Sequence, residues 1–181
     1  MILDETYLHG KLFIYELNLK IDSKIYYKLT RKNLIHKMLS KMDYKYFHKA
    51  RQAATISDFA KTHIGCVAVY QGTVIGIGCN SNKTHPRQNY YNRYRNFDQS
   101  FFIPKLHAEI SCINSIRNLD INFSKVKLYI YRIRHDQEYG LARPCPSCMA
   151  AIKDLGIKDI YYSTNDGFAY ENLKINEMNG E

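Results

Sequence analysis

Two short segments carry side chains whose types and spacing suit metal chemistry. His107-Ala108-Glu109 opens one apolar-periodic stretch, and Pro144-Cys145-Pro146-Ser147-Cys148 opens another. A Cys-x-x-Cys pair at a helix N-terminus brings two sulfurs onto one ion, and the helix dipole with its exposed N–H groups favours thiolate over thiol. A histidine on the first turn of a neighbouring helix supplies a third ligand. Three protein ligands leave a tetrahedral zinc with one position for water, which marks a catalytic site rather than a closed structural one. Zinc lowers the pKa of such a water to about 7. Glu109, two residues beyond His107, is placed to move that water's protons without ligating the metal. The expectation is one Zn2+ per chain, held by His107, Cys145 and Cys148, with Glu109 as the catalytic acid and base.

Blander roles exist for the same residues. Cys112 or His85 could close the zinc site with a fourth ligand, and Glu109 could merely complement a helix dipole. The chain would then be a non-catalytic, zinc-stabilised interaction module. The remaining cysteines do not suggest a disulfide framework, because five is an odd count and no export signal is visible. Cys66, Cys79 and Cys112 fall in apolar runs and are expected to be small buried residues. His63, His85 and His135 are expected to be incidental.

The elements that must position these residues can be read from pattern. A helical period runs from Arg31 to about Phe59, with a break suggested near Asp43. HIGCVAVY and VIGIGCN read as two strands joined at Gln71-Gly72. Residues 80 to 104 read as one long connection, a length usually tied to function. A helix is expected from about Leu106 to Asn118, a strand over KVKLYIYRI, and a helix over CPSCMAAIKDL ended by Gly156. Two strands around Asn165-Asp166-Gly167 form an expected C-terminal hairpin. Residues 11 to 29 suggest a small N-terminal hairpin. The expected division is an N-terminal extension over 1–43, combining that hairpin with a basic helix, and one α/β domain over 44–181.

Composition narrows the class of protein. A hydrophobic share of 45% is too high for a disordered chain. No apolar run approaches the roughly 20 residues of a membrane span, and MILDETYLHG lacks the basic patch of a signal peptide. These features point to a cytoplasmic protein with no membrane partner. The net charge of +9 is concentrated between residues 24 and 51, while the stretch after Lys158 leans acidic. Such asymmetry suggests contact with phosphate, in a nucleotide or along a nucleic acid, or a solvated basic helix face.

His-x-Glu followed by Pro-Cys-x-x-Cys resembles the signature of the zinc-dependent cytidine and deoxycytidylate deaminase superfamily. The resemblance covers roughly residues 44 to 174, and the order of elements also matches. It implies a three-layer α/β/α fold with a mixed five-stranded sheet. It implies hydrolytic release of ammonia from an aromatic carbon bearing an exocyclic amine. It implies that Asn80, which ends the second strand as Gly-x-Gly-x-Asn, contacts the sugar, with Ala108 and Pro144 lining the base. Self-association is a further implication, since members often form dimers or larger oligomers.

Substrate hints point in two directions. Histidine in the first ligand position is similar to the deoxycytidylate, transfer-RNA and polynucleotide deaminases. The C-terminal hairpin is instead similar to the cytidine deaminase branch. Lys83, His85, Arg87, Arg93 and Arg95 are candidates to hold a 5′-phosphate or a strand backbone. Tyr90, Tyr91, Tyr94 and Phe97 could stack on a base or close over a core. The expected substrate is a free cytosine nucleoside or nucleotide, with cytosine or adenine in single-stranded DNA or RNA as the alternative.

Overall fold

A computed structural model of the chain describes residues 41–95, 105–134 and 139–173. The expected hairpin over 11–29, the expected helix start at Arg31, Phe97 and His135 lie outside them. Among the described residues the elements follow in this order: α1 (Lys41–Ala54), β1 (His63–Tyr70), β2 (Thr73–Cys79), α2 (Pro86–Asn92), α3 (Ala108–Ile116), a 3-10 turn (Phe123–Lys125), β3 (Val126–Ile133), α4 (Pro146–Asp154), β4 (Asp159–Thr164) and β5 (Gly167–Asn172).

The strands form one five-stranded sheet in the order β2-β1-β3-β4-β5. Only β3 and β4 are parallel, linked by α4; all other neighbours are antiparallel. Central strands show the sequence of a sheet covered on both faces. In β1 and β3, Cys66, Ala68, Leu128 and Ile130 pack against α3 and α4. Their neighbours Val67, Val69, Tyr129 and Tyr131 pack with Tyr46, Phe47 and Ala50 of α1. The expected three-layer α/β/α architecture and its C-terminal hairpin are both present. Gln71 (φ 49°) and Gly72 (φ 80°) form the tight β1–β2 turn, and Gly167 (φ 134°) closes the β4–β5 hairpin.

The structure also departs from the reading of the sequence. α1 runs without a break from Lys41 through Asp43 to Ala54, where a break near Asp43 was expected. Asp43 is held there because the buried Tyr129 hydroxyl donates to its carboxylate at 2.5 Å. α1 stops at Ala54, short of Phe59: the amides of Ile56 and Ser57 turn back three residues to Ala53 and Ala54. The Ser57 hydroxyl then leaves the helix path to reach Asn80. Residues 80–104 are not one open connection, because α2 forms inside them. His85 caps it, its Nδ1 accepting from the Arg87 amide at 3.2 Å, and Pro86 fills the first helical position. Cys66 and Cys112 are fully buried as expected, but Cys79 is only half-buried because it ends the edge strand β2. Among the described residues no helix is long and apolar enough to cross a membrane.

Candidate metal centre and active site

The close contact between α3 and β2 begins the site. A methyl group at Gly78 would overlap the Cys112 amide nitrogen and the Ala108 carbonyl oxygen. Glycine here therefore lets the first turn of α3 lie directly on β2. The chain entering α3 is pinned as well: Ser81 N–H donates to the Leu106 carbonyl at 3.0 Å, and Leu106 N–H donates to the Lys83 carbonyl at 2.9 Å. On the other side, α4 is the crossover between parallel β3 and β4 and starts beyond the C-terminal end of β3. Two helix N-termini thus meet outside the carboxyl ends of strands, the usual crevice of an open α/β sheet.

His107 and Cys145 occupy the N-cap positions of α3 and α4, yet neither side chain caps its helix. They face each other instead. His107 Nδ1 lies 3.6 Å from Cys145 Sγ and 3.4 Å from Cys148 Sγ, and all three ligand atoms lie within 4.8 Å of one another. Tetrahedral bonds of ~2.05 Å to nitrogen and ~2.3 Å to sulfur place those atoms roughly 3.6 Å apart. The spacing fits zinc. Among the described residues no fourth His, Cys, Asp or Glu joins the group. Cys112 is fully buried beside Cys66, and His85 caps α2 and meets Asn114. The two residues that could have closed the site are occupied elsewhere.

The electrostatics suit a cation. The Cys148 thiol hydrogen-bonds to Cys145 and, against the effect of burial, lowers the Cys145 pKa to about 3, with His107 adding to the fall. Burial pushes the Cys148 thiol up. Burial would depress the His107 imidazolium, but Cys145 and Glu109 beside it leave its pKa above the ordinary value. Glu109 is 5% exposed, and burial holds its carboxyl above the usual range despite the opposing influence of His107.

A cavity of about 180 Å³ opens beside these groups, with Asn80, Leu106, His107, Ala108, Glu109 and Cys145 in its wall. Asn80 is locked in place: its Oδ1 accepts from Ile64 N–H at 2.8 Å and from the Ser57 hydroxyl at 2.7 Å, while its Nδ2 donates to the Thr62 carbonyl at 2.7 Å. One amide hydrogen remains for a ligand. Pro144 is buried and precedes Cys145 but is not part of the cavity wall.

Of the five basic residues singled out in the β2–α3 connection, Arg95 alone approaches the centre, with a guanidinium nitrogen 3.5 Å from His107 Nε2. Lys83 is exposed. Arg87 lines a separate surface depression with His85 and Arg117. Arg93 stacks over the Tyr90 ring at 3.8 Å and the Tyr94 ring at 5.1 Å. Tyr91 is buried, whereas Tyr90 and Tyr94 are exposed. The cations that do line the cavity are Lys105 and Arg143. Lys105 donates to the Asn82 carbonyl at 2.8 Å, and Arg143 grips Glu171 with two bonds of 2.8 and 2.9 Å. The available signal for both was adjacency, since each lies two residues before a ligand.

No curated protein gives a significant sequence match. Among solved structures, a cytidine deaminase from Burkholderia pseudomallei is similar in fold, with a TM-score of 0.52 at 14% identity over 76% of this chain and 95% of that one. A dCMP deaminase from the cyanophage S-TIM5, solved with dCMP and dUMP, gives a TM-score of 0.49 at 19% identity over 69% and 82% of the two chains. The family of the cytidine and deoxycytidylate deaminase zinc-binding region matches residues 40–164. That span holds β1 to β4, both helix tips and all three ligand positions, and the chain belongs to this family.

Proposed function

We propose that the chain is a zinc-dependent hydrolytic deaminase acting on a free cytosine nucleoside or nucleotide. The observation that carries this reading is a cluster of three ligand atoms beside a cavity whose wall includes His107, Cys145 and the buried, non-ligating carboxyl of Glu109. His107 Nδ1 and the sulfurs of Cys145 and Cys148 would hold the metal. Zinc bound there supplies the Lewis acidity that makes water a nucleophile near neutral pH. Glu109 takes a proton from the attacking water and delivers it to the ring nitrogen. It then passes a second proton to the exocyclic amine, which leaves as ammonia. Burial of Glu109 favours this traffic, because a raised pKa brings its proton affinity closer to that of its partners.

The other walls orient the base. The Ala108 N–H, at the free N-terminal turn of α3, donates to the pyrimidine carbonyl. The uncommitted amide hydrogen of Asn80 meets a sugar hydroxyl, and Lys105 with Arg143 meets a 5′-phosphate.

The test is ammonia release from cytosine and adenine compounds, offered as nucleosides, nucleotides and single strands, with and without chelator. Turnover of a small cytosine compound, lost on chelation, supports the reading. Chelator-insensitive turnover contradicts it. A second reading, action on single-stranded DNA or RNA, draws on the exposed Tyr90 and Tyr94 rings with Arg93 stacked on them. It requires strand binding that weakens steeply with salt.

A further inference from the structure

Both ligand-bearing helix tips give up their own capping side chains. His107 and Cys145 sit at N-cap positions, where a side chain normally satisfies the free N–H groups of the first turn. Neither does so here. In a capping box, the side chain at the third helical position would reach back to the N-cap amide. In α3 that position is Ile110, which has no acceptor. The His107 amide is nonetheless paired, because Gln88 of α2 reaches it.

Gln88 is fully buried. Its Oε1 accepts from His107 N–H at 3.0 Å. Its Nε2 donates to the Ser147 hydroxyl, inside Cys-x-x-Cys, at 3.2 Å and to Asn92 Oδ1, one turn along α2, at 3.0 Å. The Ser147 hydroxyl donates to the same Asn92 oxygen at 3.3 Å. One side chain thus spans from the backbone of the histidine ligand to the residue between the two cysteine ligands. A buried amide is disfavoured when either end is left unpaired, so the network holds together only while both tips stay within reach of Gln88.

We infer that Gln88 is a positioning residue that sets the separation of the His107 and Cys145–Cys148 helix tips and thereby the affinity for the metal. It touches neither metal nor substrate in this role. The inference rests on the zinc site proposed above and would hold for any substrate. It also gives α2 a purpose: a seven-residue helix with a Gln–Asn pair four residues apart presents both amides to the gap between α3 and α4.

The test measures zinc dissociation constants by competition with a chromophoric chelator, on folded full-length protein, for wild type, Gln88→Met, Ser147→Ala and the double variant. Methionine keeps the volume of Gln88 but offers no strong hydrogen bond. Loss of an outer-shell partner typically weakens metal binding about 10- to 100-fold, and that is the expected effect of Gln88→Met. The double variant should be weakened by less than the product of the two single effects, because both substitutions break one network. A Gln88→Met protein that unfolds more readily yet binds zinc within twofold of wild type would overturn the inference and leave the deaminase reading standing. Should Gln88→Met fail to fold, Ser147→Ala decides: several-fold weaker binding supports the bridge, and unchanged affinity overturns it. Wild-type protein that binds no zinc would overturn both.

Discussion

Nδ1 of His107 lies 3.4 Å from Sγ of Cys148, although 41 residues separate them in the chain. Neither residue needs the other for packing, since Cys148 is wholly buried among apolar neighbours and His107 begins a different helix. Their meeting follows from two local arrangements. Gly78 lets α3 settle on β2, and the parallel β3–β4 pair forces α4 to begin at the same end of the sheet. The ligand distance is thus a consequence of strand sequence as much as of ligand identity.

Glu109→Ala separates chemistry from metal binding. Removing a general acid and base should cost about 10²- to 10⁴-fold in kcat, while zinc stoichiometry stays at wild type because Glu109 is not among the three ligands. Steady-state kinetics with metal analysis checks both. Activity within threefold of wild type would remove Glu109 from the mechanism.

Gly78→Ala tests the close approach directly. The added methyl meets backbone atoms of Ala108 and Cys112, not flexible side-chain ends, so α3 must shift. Overpacking of this kind costs about 1–3 kcal/mol, and because His107 rides on the displaced tip, zinc affinity should fall as well. Urea unfolding and chelator competition report the two effects.

The ligand set was legible because each motif contains its own local geometry: a Cys-x-x-Cys at a helix start places its sulfurs whatever lies elsewhere. The two hairpins were legible for the same reason, through Gln71-Gly72 and Asn165-Asp166-Gly167. α2 was not, since seven residues give too few turns for a hydrophobic period, and its one fully buried side chain is the polar Gln88. Lys105 was hidden differently. Its one local signal is that it lies two residues before His107; its place in the cavity wall goes with the Leu106 bond back to Lys83, a contact between residues far apart in the chain.

Tyr129 gives a pH-dependent prediction. Burial, and then the hydrogen bond to Asp43, raise its phenol pKa well above the ordinary value. An acid bound more tightly by the folded state stabilises it fully below the unfolded pKa of about 10, and that stability is lost as pH rises above it. Tyr129→Phe leaves Asp43 without this partner and should cost about 1–3 kcal/mol at neutral pH. The same variant should flatten the alkaline decline. Thermal unfolding between pH 8 and 11 distinguishes this from a simple packing loss, which would lower stability equally at every pH.

Lys105→Ala should discriminate between substrates. If its ammonium holds a 5′-phosphate, KM for a cytosine nucleotide rises about tenfold, corresponding to a charge-assisted bond of about 1.4 kcal/mol, while KM for the nucleoside does not change. Equal effects on both would place the phosphate elsewhere.

X-ray absorption at the zinc edge of the loaded protein tests the central claim most directly. The account predicts one histidine nitrogen, two cysteine sulfurs and one non-protein oxygen, with the sulfur contribution lost or reduced in Cys145→Ser. A shell of four protein ligands would contradict it, as would a spectrum that Cys145→Ser leaves unchanged.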